Sequence, residues 1–199
     1  MSDMPTKKQQ TRMRMLDAAS QGFRSQGYAG IGIDGIAKAA GVTSGAFYAH
    51  LGSKDKAFSA VLDAGLDEVI EAIPTMQNES GSDWVKAFAD YYVGRAHRED
   101  LACGCAMTTL SPEVVRAAPE LHAAYENKMK IISNLIANGL KGGSREERLS
   151  RAWSFLGILI GGLTMARAVK TGKSTEKIAT SIRAAAVNVA GDTRQKPES

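Results

Sequence analysis

With 199 residues, 44% hydrophobic and 23% charged, the chain is long enough to bury a core without metal or disulfide support, and its composition excludes a disordered, fibrous or disulfide-framework protein. The net charge of +4 is unevenly placed, since residues 1–56 hold eight basic side chains against four acidic ones while the remainder balances at seventeen of each. Such an asymmetry fits a polyanion-binding module joined to a neutral body, and equally a solvated surface with no partner.

The opening MSDMPTKKQQ is basic but has no apolar stretch after it, so it does not read as a signal peptide. Leu16, Ala19 and Phe23 recur at i, i+3 and i+7, which predicts a first helix over about Lys7 to Gln26, ended by Gly27. A second helix is expected from Ile33 to Ala40, with Ile33, Ile36 and Ala37 turned inward. Gly41 can take the positive φ that ends it, and small residues around that turn let two helices cross closely. A third helix should begin after Thr43, whose hydroxyl can cap the first turn, and run to His50 or Leu51. Phe47 and Leu51 then share the inner face, and Gly45, Ala46, Tyr48 and Ala49 the outer one. A small, uncharged outer face is what close entry into a DNA major groove requires. The bare Ala-Ala-Gly-Val turn fits a tight helical hairpin inside an ordinary all-α core just as well.

Ser53 reads as the cap of a fourth helix, with Asp55 favourable near the positive end of its dipole. Phe58, Val61, Leu62, Leu66, Val69, Ile70 and Ile73 carry that helix to an expected stop near Pro74, and residues 78–82 read as a polar loop. Trp84, Phe88, Tyr91 and Tyr92 follow at helical spacing. Cys103, Gly104 and Cys105 interrupt the pattern, and Ser111-Pro112-Glu113 reads as a helix opening with proline in its first turn. Further helices are expected from Pro119 to Leu140, from a Ser144–Glu147 capping box to about Lys170, and from Ser174 or Thr175 through Ile178, Ile182, Ala186 and Val189. The most apolar run, Phe155 to Ala166, is 12 residues, too short to span a bilayer. No strand pattern or internal repeat is visible. The reading is an all-α protein with no membrane association, expected in the cytoplasm.

Gly27-Tyr28, Ile36-Ala37, Ala40-Gly41-Val42, Gly45, Phe47-Tyr48, His50 and Ser53-Lys54-Asp55 together resemble the DNA-binding domain of TetR-family (TetR/AcrR-type) transcriptional regulators, over residues 7–58. Departures are Ile31 and Gly32 in place of hydroxyl residues, Gly35 for a frequent Asp or Ala, Leu51 for Phe and Ala57 for Leu, so no phosphate contact is expected from position 31 or 32. The resemblance implies an N-terminal three-helix helix-turn-helix DNA-binding domain at 7–53 and a C-terminal helical ligand-binding and dimerisation domain at 54–190. It implies a homodimer paired through the last two helices, binding an inverted-repeat double-stranded DNA operator and released by a small-molecule inducer. Lys7, Lys8, Arg12, Thr43, Tyr48, His50 and Lys54 would meet phosphates, and Ser44, Gly45 and Ala46 would lie nearest base edges. The inducer would sit among Trp84, Phe88, Tyr91, Tyr92, Met107, His122, Tyr125 and Met129, although an aromatic stripe such as the first four is more often core.

No P-loop, no GxGxxG after a strand and no HExxH is present. His97, Cys103, Cys105 and His122 are the residue types of a zinc site, but Cys-x-Cys is closer than the usual gap between zinc thiolates, so no metal and no cofactor is expected. A cysteine-dependent enzyme would need an oxyanion hole and an orienting third group, and neither is identifiable, so the chain is read as non-enzymatic. Some TetR-like regulators carry a Gly-Cys at the bend that Gly104-Cys105 resembles. That leaves a thiol sensor of oxidants or electrophiles at Cys105, with Cys103 as resolving thiol, as the alternative to a pocket inducer.

Overall fold

The computed structural model describes residues 4–102 and 104–191, and every regular element among them is helical. Ten α-helices follow in order: α1 (Lys7–Gly30), α2 (Ile33–Ala39), α3 (Ser44–Leu51), α4 (Lys54–Ser80), α5 (Trp84–Tyr92), α6 (Arg95–Glu99), α7 (Ala106–Val114), α8 (Pro119–Gly139), α9 (Arg145–Ala168) and α10 (Gly172–Val189), with a 3₁₀ turn at Gly81–Asp83 before α5. They form two compact units, one of residues up to Gly65 with Leu101–Tyr125, the other of Leu66–Asp100 with the residues from Glu126 onward.

In the first unit, α1 is bent where Gly27 takes a φ of 77°, and it turns Met15, Ala18, Ala19, Gly22 and Phe23 into the core. Ile36 and Ala37 of α2, Phe47 and Leu51 of α3, and Phe58, Val61 and Leu62 of α4 join them, while Ile33 is only half-buried. The α2–α3 turn closes as a Schellman motif. Gly41 at φ 68° lets its N–H reach Lys38 O at 3.1 Å and the Val42 N–H reach Ala37 O at 2.9 Å. Ile31 is buried beside Gly22 and Gly35, and a Cβ on Gly35 would stand 3.2 Å from the Ile31 Cγ1. An apolar residue at 31 and a glycine at 35 therefore form one packing solution. Gly65 of α4 likewise admits Ala106 of α7, whose methyl would lie 2.7 Å from an added Cβ.

In the second unit Trp84, Phe88 and Tyr92 of α5, Ile132 and Ile136 of α8, and Phe155, Leu156, Leu159 and Leu163 of α9 form the core. Phe88 stacks on Tyr92 at 5.8 Å and meets Phe155 at 5.7 Å. Gly162 lets α9 and α10 approach: a Cβ there would stand 2.6 Å from the Ile182 Cγ1. Arg151 ties two helix ends, its guanidinium donating to Ala190 O at 3.1 Å and Lys141 O at 2.8 Å. Helix α9 is long and apolar enough to cross a membrane by length and composition alone, but Ala152, Phe155, Leu156, Leu159, Gly162, Leu163 and Ala166 are buried within this unit.

Several sequence expectations are corrected. Pro74 does not end α4, which runs on to Ser80, so residues 78–80 are helical and 81–83 form the 3₁₀ turn. A proline removes one backbone donor, and here fully buried Ile73 and the hydrogen bond from Gln77 Nε2 to Leu135 O at 3.0 Å hold the helix on either side of it. Ser111-Pro112 lies late in α7. That helix starts at Ala106, because the Cys105 carbonyl accepts the Thr108 and Thr109 N–H groups at 3.1 Å. The last helix starts earlier than Ser174, since Thr171 is the cap that accepts the Ser174 N–H at 3.3 Å. The Ser144–Glu147 capping box is present, and Thr6 and Gln9 form a second one at the start of α1.

Candidate nucleic-acid interface

Helix α3 carries an outer face of small or neutral side chains. Gly45 and Tyr48 are exposed, Ala46 is half-buried, and a Cβ added at Gly45 would meet only the Thr43 Oγ1, at 3.8 Å. Thr43 is itself the N-cap, accepting the Ala46 N–H at 3.2 Å, so its hydroxyl oxygen holds the helix start. Ser44 donates its hydroxyl to the Asp34 carboxylate, which fastens α3 to α2. Tyr48 is 54% exposed and rests edge-on against Phe47.

Basic residues stand on the neighbouring helices of this unit. Lys7 and Lys8 are exposed in the first turn of α1, behind the Thr6–Gln9 box. Arg12 donates to His50 O at 2.5 Å, so a cation from α1 is held at the C-terminal end of α3, where carbonyls lack partners. Lys54, the first residue of α4, places its ammonium 4.4 Å above the ring of Tyr28. Ser53 accepts the Lys56 N–H at 3.1 Å and caps that helix. Lys7, Lys8, Arg12, Thr43, Ser44, Gly45, Ala46, Tyr48, His50 and Lys54 thus all belong to the first unit.

Tyr28 is the residue beneath Lys54. Its ring lies 5.9 Å from Phe23 and edge-on to Phe58 at 5.3 Å, and its hydroxyl donates to the Asp55 carboxylate. Burial first, then the hydrogen bond to Asp55 and its negative charge, push the phenol up to about 12. It therefore stays a hydrogen-bond donor throughout the ordinary pH range. Its backbone N–H goes to Glu113 Oε1 of α7 at 3.3 Å. Tyr28 and Asp55 stand within the recognisable motif strings, whereas Glu113 is 85 positions away and nothing local pointed to it.

The residues nominated for an inducer are divided. Trp84, Phe88, Tyr92 and Met129 are buried in the second unit, the Trp84 indole donating to Gly139 O at 3.2 Å, while Tyr91 is 60% exposed. Met107 is buried in the first unit, where Tyr125 meets Ser111 Oγ at 2.6 Å and His122 is exposed. A cavity of about 440 Å³ in the second unit is lined by Gln77, Trp84, Val85, Leu140 and Lys141, and one of about 740 Å³ in the first by Tyr28, Asp55, Phe58, Glu113, Arg116 and Leu121. Of the nominated residues, only Trp84 lines either of these two.

Cys105 is half-buried at the N-cap of α7, and Cys103 lies outside the described residues. Burial raises the Tyr125 phenol, with the nearby Cys105 adding to it. His97 Nδ1 lies 3.1 and 3.2 Å from the carbonyls of Tyr91 and Tyr92, so that nitrogen carries the proton, and burial lowers the imidazole's affinity for a second one. Among the described residues no group of three His, Cys, Asp or Glu side chains is arranged to hold a metal.

A family model described as bacterial regulatory proteins, tetR family, matches residues 15–61. The HTH-type transcriptional regulator SrpR of Pseudomonas putida is 44% identical over 54 residues, 27% of this chain and 25% of that protein, so the match spans a quarter of the relative's length. Among solved structures, the TetR-family regulator SCO4454 from Streptomyces coelicolor superposes with a TM-score of 0.76 at 20% identity, covering 94% of this chain and 97% of that one. The reduced form of NemR from E. coli gives 0.74 at 19% identity, covering 90% and 97%. At these identities the structural likeness speaks to the fold.

Proposed function

Because the chain belongs, through its N-terminal domain, to the TetR family of bacterial regulatory proteins, we propose that it is a transcriptional repressor that binds an inverted-repeat operator as a homodimer and is released by a small-molecule inducer. Residues 7–53 are the reading domain, and residues 54–190 the ligand-binding and dimerisation domain of a cytoplasmic protein. The observation that carries this reading is the outer face of α3, open at Gly45, with Arg12 held at the C-terminal end of the helix and Lys54 opening the helix that follows. Ser44, Gly45 and Ala46 approach base edges, and the cations, with Thr43, Tyr48 and His50, meet the backbone. With few side chains able to bond a base at two points, DNA shape contributes to operator choice. Exposed Trp153, Gly157, Gly161 and Met165 lie along one side of α9 and supply the dimer face with α10. An inducer need only bind the non-reading arrangement more tightly to release DNA.

Operator binding measured across a salt series tests the reading. About six phosphate contacts per dimer give a log–log slope of roughly −5. An affinity independent of salt, or no duplex recovered by selection from genomic DNA, refutes it.

The position of Cys105 at the N-cap of α7 favours a second reading of the signal, because a helix N-terminus favours a thiolate. In that case oxidant releases DNA from the wild type and not from Cys105→Ser, and reductant restores binding. Thiol titration of the folded protein that finds Cys105 unreactive leaves the pocket inducer as the signal.

A further inference from the structure

We infer that Glu113, on α7, is a positioning residue for DNA binding: its carboxylate holds the bend of α1 at Gly27-Tyr28 and thereby seats Lys54. The inference rests on the DNA-binding reading of the first unit, and its geometry lies wholly within that unit. Gly27, with a φ of 77°, breaks the α1 ladder, so the next N–H, that of Tyr28, turns out of the helix. That N–H donates to Glu113 Oε1 at 3.3 Å. The approach is close: a Cβ on Gly27 would stand 2.9 Å from the same oxygen, and the backbone angle is one that favours glycine. Arg116, three residues on and exposed, lies 3.6 Å from the other carboxylate oxygen.

What the latch holds reaches the interface. The bend returns the Tyr28 ring over Phe23 and Phe58, and this ring carries the Lys54 ammonium on its face and Asp55 on its hydroxyl. Lys54 and Asp55 form the first turn of α4, two residues beyond the glycine that ends α3. A shift of α7 that withdraws the carboxylate frees the Tyr28 backbone and loosens the support under Lys54. Glu113 touches no DNA in this scheme. It acts through Tyr28.

The test uses the full-length chain, a duplex selected by the wild type from a randomised library, and amide exchange at Tyr28. Glu113→Gln keeps an acceptor oxygen at the same reach without the charge, and Glu113→Asp keeps the charge without the reach. Losing a hydrogen bond of this kind is expected to make Tyr28 exchange about tenfold faster and duplex binding about tenfold weaker in Glu113→Asp and Glu113→Ala, with Glu113→Gln close to wild type in both. The pairing of the two readouts separates positioning from general destabilisation, and Glu113→Gln against Glu113→Asp decides the matter should the alanine variant not fold. If Gln behaves as Ala and Asp as wild type, the carboxylate acts by charge and the proposal fails. It fails also if exchange changes while duplex affinity does not. If the wild type selects no duplex, the DNA-binding reading falls and the proposal with it.

Discussion

Gly162→Leu is expected to unfold the second unit or leave it barely stable, whereas Gly161→Leu, one residue earlier, is expected to leave the chain folded and split the proposed dimer. At Gly162 an added Cβ would stand 2.6 Å from Ile182 Cγ1 and 2.9 Å from Ile182 Cβ, on α10, and glycine there is buried. A leucine cannot be placed without separating α9 from α10, and overpacking of this severity costs about 3 kcal/mol or more, against a helix-propensity gain of only about 1 kcal/mol. That is a large share of the 5–15 kcal/mol by which domains of this size are typically stable. At Gly161, and at Gly157 one turn before, no atom of the described residues beyond the helix's own local backbone lies within 4 Å of the Cβ position, and both are exposed. For the isolated chain a leucine there should therefore be neutral or stabilising by the same propensity gain. Glycines kept at such a cost on the outer side of a long helix, beside exposed Trp153 and Met165, fit a surface that another backbone approaches. Thermal unfolding and sedimentation of both variants give the answer. A Gly161→Leu variant that stays dimeric removes this face from the proposed dimer, and a Gly162→Leu variant as stable as wild type means that α9 and α10 can part without loss.

The elements legible in advance were those whose cause is local. The Thr43 cap, the Gly41 turn, the Phe47–Leu51 inner face and the Ser144–Glu147 box all follow from residues within four positions of one another, and each stands where its residues indicate. Of the boundaries that moved, those at Pro74 and Ser111-Pro112 involve partners farther along the chain, whereas the start of α10 follows from the local Thr171 cap. A proline at 74 carries the same local signal whether or not packing holds the helix through it, and here α4 continues. Ser111-Pro112 has the composition of a helix start, but Ser111 instead donates to Met107 O and meets the Tyr125 hydroxyl. At the interface the same division holds. Ser44 reads as a base-facing hydroxyl from its position on α3, yet in the free protein that hydroxyl is bound to Asp34, ten residues earlier on another helix. Lys54 was legible as a cation at a helix start, while the ring beneath it and the carboxylate behind that ring were not.

Gly45→Asp should bind the selected operator at least about a hundredfold more weakly than wild type while melting no lower. Gly45 is the second residue of α3, exposed, with open space where a side chain would extend. A carboxylate in the first turn of a helix interacts favourably with the free N–H groups and the positive end of the dipole, by roughly 0.3–1 kcal/mol, and replacing glycine in a helix adds up to about 1 kcal/mol. The folded protein alone therefore gains from the change. Against DNA the sign reverses, because the new charge sits on the face proposed to enter the groove, between phosphates that Lys7, Lys8 and Lys54 are proposed to neutralise. It must be desolvated against like charge, and it also offsets part of the positive field that draws DNA in. Gly45→Ala, which adds a methyl group and no charge, separates bulk from charge: it should keep the stability gained by replacing glycine, without the carboxylate's share, and lose far less affinity. Calorimetric melting beside fluorescence anisotropy with the selected duplex distinguishes these outcomes. An aspartate variant that binds like wild type would mean that this face of α3 does not meet DNA, whereas stability falling together with binding would mean that Gly45 serves the fold and not the interface.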